Sequence, residues 1–174
     1  MNSDRHIIIT GFMGSGKTTV ARELALTLNR ELIDLDHMIA EQLGRTAQEI
    51  IEQDGEDAFR KIETQTLRDV LANSFPRVIA LGGGAWTIEQ NRNLIQQYGG
   101  ITVWLDASFD LCWVRILSSG GGRPLARDEV QARVLYAERR PLYALAQFRV
   151  EVPADISTDK ISTKIAEALR ISDK

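Results

Sequence analysis

The run Gly11-Phe12-Met13-Gly14-Ser15-Gly16-Lys17-Thr18 has the spacing G-x-x-x-x-G-K-[ST], and these residue types suit the holding of phosphates. Gly14 and Gly16 permit backbone conformations that turn amide N–H groups toward an anion. A helix opening at the end of the run adds its positive dipole end. Lys17 can reach the β- and γ-phosphates as a point charge, and the Thr18 hydroxyl can ligate Mg²⁺. Gly14, Ser15, Gly16, Lys17, Thr18 and Thr19 are therefore assigned to a cradle for ATP or a closely related nucleotide. The alternative is a glycine-rich turn that merely precedes a helix. The Lys-Thr pair and the preceding strand-like run weigh against it. The motif reports nucleotide binding and not the reaction that follows.

Other positions carry chemistry less specifically. Asp34 and Asp36 flank Leu35 after a short apolar run. On an extended chain, side chains two apart point the same way. One carboxylate could then act through water on Mg²⁺ while the other holds and deprotonates an acceptor hydroxyl. Equally, Asp36 could cap a helix that begins near Met38. Arg60 and Glu63 stand i, i+3 and can pair, which alone suits a solvated face. Gly82-Gly83-Gly84 follows a strand and would let a ligand approach the backbone closely, or would form a flexible turn. Arg123-Pro124-Leu125 follows a glycine run and suits a mobile lid bearing a cation. Arg139 and Arg140 precede Pro141, and either also reads as surface charge.

The elements that must position these residues are legible from periodicity. Short β-branched or apolar runs at residues 6–10, 32–33, 78–81, 101–105 and 148–152 read as strands. Helical spacing occupies residues 18–29, 38–74 with breaks at Gly44 and Gly55, 88–98, 109–117, 129–146 and 159–169. Pro141 is expected to bend or divide its helix. Strands alternating with helices imply an α/β fold with a parallel sheet flanked by helices. The 174 residues suit a single domain, with residues 118–128 as the lid.

A net charge of −3 provides no basic field for nucleic acid, and no apolar run is long enough for a membrane span. Cys112 is the only cysteine, which rules out an intrachain disulfide and suits a reducing compartment. Its apolar helical setting makes it a small buried hydrophobe. His6 and His37 lack neighbours for a zinc site. Trp104 and Trp113 read as core or near-core packing, and Trp86 either borders a pocket or packs.

Taken in order, the phosphate loop, Asp34-Leu35-Asp36, Gly55-Glu56-x-x-Phe59-Arg60-x-x-Glu63, Leu81-Gly82-Gly83-Gly84-Ala85, Arg123-Pro124-Leu125 and Arg139-x-Pro141-Leu142-Tyr143 resemble the shikimate kinase family over residues 6–152. The resemblance implies transfer of the γ-phosphate of ATP to the 3-hydroxyl of shikimate, on the route to chorismate and the aromatic amino acids. It implies a three-layer P-loop kinase fold of the nucleoside monophosphate kinase type, with about five parallel strands. By resemblance Asp36 binds the acceptor hydroxyls and takes the proton, and Asp34 touches Mg²⁺ through water. Arg60 and Arg139 bind the carboxylate, Gly82 and Gly83 border the substrate, and Arg123 is the lid arginine on the phosphates. Lys17, Asp36 and Arg123 are the implied catalytic set. Arg115 is the nearest candidate to stack on adenine. Ile51 departs from the family's frequent phenylalanine, Phe59 is kept, and Ala126 replaces a usual leucine. A cytoplasmic monomer acting on shikimate, without nucleic acid or membrane partners, completes the implication. Gluconate or another small metabolite as acceptor, and a ligand sensor without turnover, are the alternatives at this point.

Overall fold

The structure, a computed structural model, describes residues 4–119 and 128–171. Arg123, Ala126 and most of the segment read as a lid lie outside the described residues.

Ile7, Ile8 and Ile9 leave β1 (Ile7–Thr10) without a polar face, and all four of its residues are buried. Such a strand needs neighbours on both edges and cover on both faces. The edges are supplied by β3 (Arg77–Ala80) and β4 (Ile101–Ala107). Two strands with partly exposed patterns, β2 (Glu31–Asp34) and β5 (Phe148–Val152), form the margins. The five-stranded sheet has the order β2-β3-β1-β4-β5, and every pairing is parallel. Ile9 stands opposite both Ala80 and Val103, and Asp34 stands opposite Ala80. This register brings Gly11, Leu35 and Leu81 out together beyond the carboxyl ends of adjacent strands, where ligands bind in open α/β sheets.

The cover comes from α1 (Lys17–Leu28), α2 (Leu35–Leu43), α3 (Ala47–Asp54), α4 (Glu56–Leu71), α5 (Glu89–Gln97), α6 (Phe109–Ser118), α7 (Glu129–Tyr143) and α8 (Thr158–Ile171). In α1 the buried stripe is Val20, Ala21, Leu24 and Ala25, at helical spacing. Gly44 and Gly55 break the long helical stretch as expected, each with a positive φ. Thr46 and Glu49 close a reciprocal capping box on α3.

Two expectations are corrected. β2 ends at Asp34 and α2 begins at Leu35, so Asp36 is helical and not part of an extended Asp-Leu-Asp run. The cap is Asp34, whose side chain accepts from the His37 N–H, and not Asp36. Pro141 does not divide its helix, because it falls two residues before the end of α7. The loss of one N–H is confined to the last turn, which Ala144 still closes by donating to the Arg140 carbonyl at 3.2 Å.

His6, only 5% exposed, ties the start of β1 to β3. Its Nδ1 accepts from the Arg77 N–H at 3.2 Å, so Nε2 carries the proton and donates to the Asn73 carbonyl at 3.1 Å. Burial holds its pKa below 6.5, outweighing the backbone carbonyls that favour the charged ring. The neutral ring therefore contributes stability that is present above the unfolded value and lost as pH falls. The stability gap between wild type and His6→Gln should shrink by about 1 kcal/mol between about pH 7.5 and about pH 5.5. Urea unfolding at each pH measures it, and a constant gap would show that the ring is not held neutral.

Candidate active site

The phosphate loop is shaped by what stands over it. Gly14 has a φ of 78°, and a Cβ there would lie 2.5 Å from the Cys112 carbonyl oxygen. The backbone of α6 thus rests directly on the loop, and only glycine fits both the conformation and the gap. Ser15 N–H donates to the Phe12 carbonyl at 3.1 Å, and Gly16 begins α1 as its cap. Arg115 of α6 donates from Nη1 to the carbonyls of Gly14 and Ser15, both at 3.3 Å. Lys17 Nζ donates to the Phe12 carbonyl at 2.9 Å. The Ser15 side chain is buried beside Gly11, so this residue faces a ligand through its backbone only.

A cavity of about 250 Å³ opens over this loop, lined by Gly14, Gly16, Lys17, Thr18, Thr19 and Arg115, with Asp34, Asp36, Gly82 and Gly83 across from them. Thr18 Oγ1 donates to Asp34 Oδ2 at 2.5 Å, while Asp34 Oδ1 accepts from His37 N–H at 3.1 Å. The cap of α2 therefore orients the carboxylate toward the hydroxyl. This pair is all oxygen, and no group of three or more His, Cys, Asp or Glu side chains suited to a metal occurs among the described residues. Such a set fits Mg²⁺, which keeps waters and takes one or two protein oxygens beside phosphates, better than it fits a fully caged ion.

Asp36, in the first turn of α2, projects to the glycine triplet. A Cβ on Gly82 would lie 2.6 Å from Asp36 Oδ1. Behind it a second cavity is lined by Asp36, Ile51, Phe59, Arg60, Glu63 and Arg139, with Met13, Gln48 and the triplet completing the wall. Arg60 pairs with Glu63 at 2.9 Å and with Glu56 at 3.0 Å, and its guanidinium occupies the space a side chain on Gly84 would need. Arg139 is buried at 8% exposure. Tyr143 donates its hydroxyl to the Gly83 carbonyl, and Trp86 donates its indole N–H to the Leu142 carbonyl at 2.8 Å. The end of α7 is thereby bound to the triplet.

Glu63 is the residue that pattern reading undervalued. Its i, i+3 spacing to Arg60 suits a solvated face, whereas it is fully buried at the cavity wall. Phe59, Glu63, Leu67 and Val70 form one buried stripe of α4, and their spacing was the available signal. Burial pushes the Glu63 carboxyl up to about 7, with Arg60 drawing it down and Asp36 adding to the rise. For Arg60, burial opposes the charge, but Glu63 and Glu56 more than offset this and raise its pKa. Of the other candidates, Arg140 is a surface residue paired with Asp106 at 3.0 Å, and Trp86 is buried packing outside both cavities. Cys112 is buried as expected, with its thiol pushed up to about 11 by desolvation. Arg123 lies outside the described residues.

Residues 13–170 match the sequence profile of the family described as SKI, shikimate kinase. A shikimate kinase from Helicobacter hepaticus is 39% identical over 165 residues, covering 94% of this chain and 95% of that protein. One from Cereibacter sphaeroides is 37% identical over 166 residues, covering 94% of this chain and 81% of that protein. The solved structure of shikimate kinase from Acinetobacter baumannii in complex with shikimate superposes with a TM-score of 0.88 at 36% identity, covering 98% of this chain and 94% of that one.

The buried Glu63 sets a testable pH dependence. A carboxyl raised from 4.5 to about 7 in the folded state favours folding below the unfolded value and loses that contribution as pH rises through the folded one. Glu63→Gln cannot ionise, so its stability relative to wild type should improve by on the order of 2 kcal/mol between about pH 5 and about pH 8. Denaturation of both proteins across that range is the measurement. A relative stability that does not change with pH would show that Arg60 keeps Glu63 ionised throughout.

Proposed function

The chain belongs to the shikimate kinase family, and from that premise we propose how its own residues transfer the γ-phosphate of ATP to the 3-hydroxyl of shikimate. One observation supports the division of labour most: Asp36, Gly82 and Gly83 line both the cavity over the phosphate loop and the cavity behind it. A phosphoryl group leaving the first must pass these residues to reach an acceptor in the second.

In the first cavity the loop amides and the α1 N-terminus receive the phosphates, and Lys17 exchanges the Phe12 carbonyl for their oxygens. Thr18 and Asp34 would hold Mg²⁺, the latter through water, and the ion would supply charge neutralisation on the phosphates. Arg115 holds the loop's carbonyls from the α6 side, next to where a base would extend. Arg123 is assigned to the phosphates as the cation of the lid at about residues 118–128 of a single kinase domain. In the second cavity Arg60 and Arg139 offer planar forks to the shikimate carboxylate, which lysine would match less well. Asp36 accepts from the hydroxyl to be phosphorylated and takes its proton. Because the transition state is loose, little deprotonation is needed before the bond to the leaving oxygen breaks, so positioning and charge supply most of the rate. Gly82 and Gly83 present backbone rather than side chain, so the acceptor can lie against the chain. Ile51 fills the cavity wall where the family often has an aromatic.

We further infer a monomer in the cytoplasm. The buried free thiol of Cys112 suits the reducing compartment in that reading.

Arg60→Ala should raise KM for shikimate by about 10²-fold while leaving KM for ATP within about threefold, because it removes binding on the acceptor side alone. Lys17→Ala should lower kcat by about 10³-fold or more. Steady-state assays of ADP release with each substrate varied check both, alongside gluconate as a competing acceptor. Equal losses on the two substrates from Arg60→Ala would mean that Arg60 does not bind the acceptor.

A further inference from the structure

Both cavities described so far open beyond the carboxyl ends of the strands. A further cavity lies near the opposite ends of β1, β4 and β5, between α5 and the link from α7 to β5, with a volume of about 430 Å³. That is the size of pockets that hold metabolite-sized ligands. Its wall includes two cations, Arg5 and Arg92, the neutral amides of Asn93 and Gln96, and the apolar surfaces of Trp86 and Leu145. No Asp or Glu is among its lining residues.

Arg92 decides the ligand's charge. It is half-buried, and its Nη1 donates to the carbonyls of Trp86 and Thr87, both at 2.8 Å. No carboxylate among the described residues pairs with it. A half-buried guanidinium bonded only to neutral carbonyls keeps its whole charge in a partly desolvated place, and an anion is the partner that offsets this. The two bonds use one nitrogen, which leaves the Nε–Nη2 edge for a planar or tetrahedral anion. Arg5, which donates to the Gly99 carbonyl, adds a second positive charge to the same wall. Leu145 is 60% exposed and offers apolar surface at the mouth.

We propose that this cavity is a second ligand site for a small organic anion, a carboxylate or phosphate monoester carried on an apolar body. The anion sits on Arg92 and Arg5, and the body lies against Trp86 and Leu145. Occupancy is felt at the acceptor cavity. Arg92 holds the carbonyls of the turn Ala85–Thr87, which continues the glycine triplet, and the Trp86 indole holds the end of α7, the helix that carries Arg139. An anion on the Nε–Nη2 edge pulls the guanidinium toward the cavity, and through its Nη1 bonds this shifts the turn and the Trp86 indole that holds α7. This second part rests on the acceptor reading given above, and the first does not.

The test is a titration of ¹⁵N-labelled full-length protein with phenyl phosphate, benzoate and phenol, with ADP, Mg²⁺ and shikimate saturating so that the first two cavities are filled. The Trp86 indole N–H and the amides around Arg92 should shift saturably with phenyl phosphate and benzoate, and not with phenol. The stronger of the two anions identifies the headgroup. Arg92→Gln should weaken binding by about fivefold or more. Asn93 is exposed, so substitutions there leave the fold intact: Asn93→Asp should weaken binding and Asn93→Lys should strengthen it, each by about threefold. No saturable shift, or shifts indifferent to the charge at position 93, would overturn the site. In turnover assays, phenyl phosphate should raise KM for the acceptor by about two- to fivefold and leave KM for ATP unchanged. An unchanged acceptor KM would overturn the coupling. Because the spectra need no turnover, an inactive protein that still shows the shifts would sink the kinase reading and leave the site standing.

Discussion

The arrangement depends on one close approach, the carboxylate of Asp36 against the backbone of Gly82. Asp36 reaches that point because β2 ends at Asp34 and the chain turns at once into α2. Gly82 is there because β3 runs beside β2 in register, so that Asp34 and Ala80 are level and the next residues emerge together. A longer strand would point Asp36 elsewhere, and a side chain at position 82 would displace it. The contact also forms the boundary between the two cavities, which is why a single residue, Asp36, lines both.

Charge in the second cavity is offset internally only in part. Arg60 and Arg139 are set against Glu63 and Asp36 in a space where desolvation is already costly. Left as bare cations, the two arginines would be poorly tolerated there. Glu63 makes Arg60 tolerable and fixes its guanidinium on one side, yet its own high pKa means that the compensation is incomplete near neutrality. On the proposed reading, a substrate carboxylate would complete an ion-pair network that the fold leaves under-neutralised, and burial would make the gain larger than at an open surface.

The donor side was legible in the sequence because its geometry is local. Eight consecutive residues and the strand and helix that flank them fix the phosphate loop, and the periodicity of Ile7 to Ile9 and of Val20 to Leu28 was enough to frame it. The acceptor side is assembled from α2, α3, α4, the glycine triplet and α7, and no local pattern shows that these converge. Arg60, Gly83 and Arg139 were placed there through family resemblance; spacing alone left each ambiguous. Asp36 was misjudged in conformation because an Asp-Leu-Asp run carries no mark of where the strand stops. Its N-cap assignment failed for the same reason, since either aspartate can cap and the strand boundary decides which one does. The burial of Glu63 is not legible from the Arg60–Glu63 spacing, because such a pair forms equally well on a solvated face; only its place on the stripe with Phe59, Leu67 and Val70 marks it.

α7 supplies the remaining link between the two sides. Tyr136 packs edge-on against Phe12 of the phosphate loop with ring centroids 5.1 Å apart, and its hydroxyl donates to the Ala107 carbonyl at 2.8 Å. Seven residues on, two helical turns along the same face, Tyr143 donates to Gly83 in the triplet. Arg139 lies between them and enters the acceptor cavity. One rigid helix therefore fixes three distances at once: loop to sheet, arginine to cavity, and helix end to triplet. Phosphoryl transfer draws most of its rate from such fixed distances rather than from acid or base strength. The ring contact of Tyr136 and the hydroxyl bond of Tyr143 would thus serve phosphoryl transfer by position, although neither residue lines the phosphate cavity. Loosening α7 at Tyr136 would shift Phe12, whose carbonyl receives Lys17, and loosening it at Tyr143 would shift Gly83 at the wall shared by the two cavities.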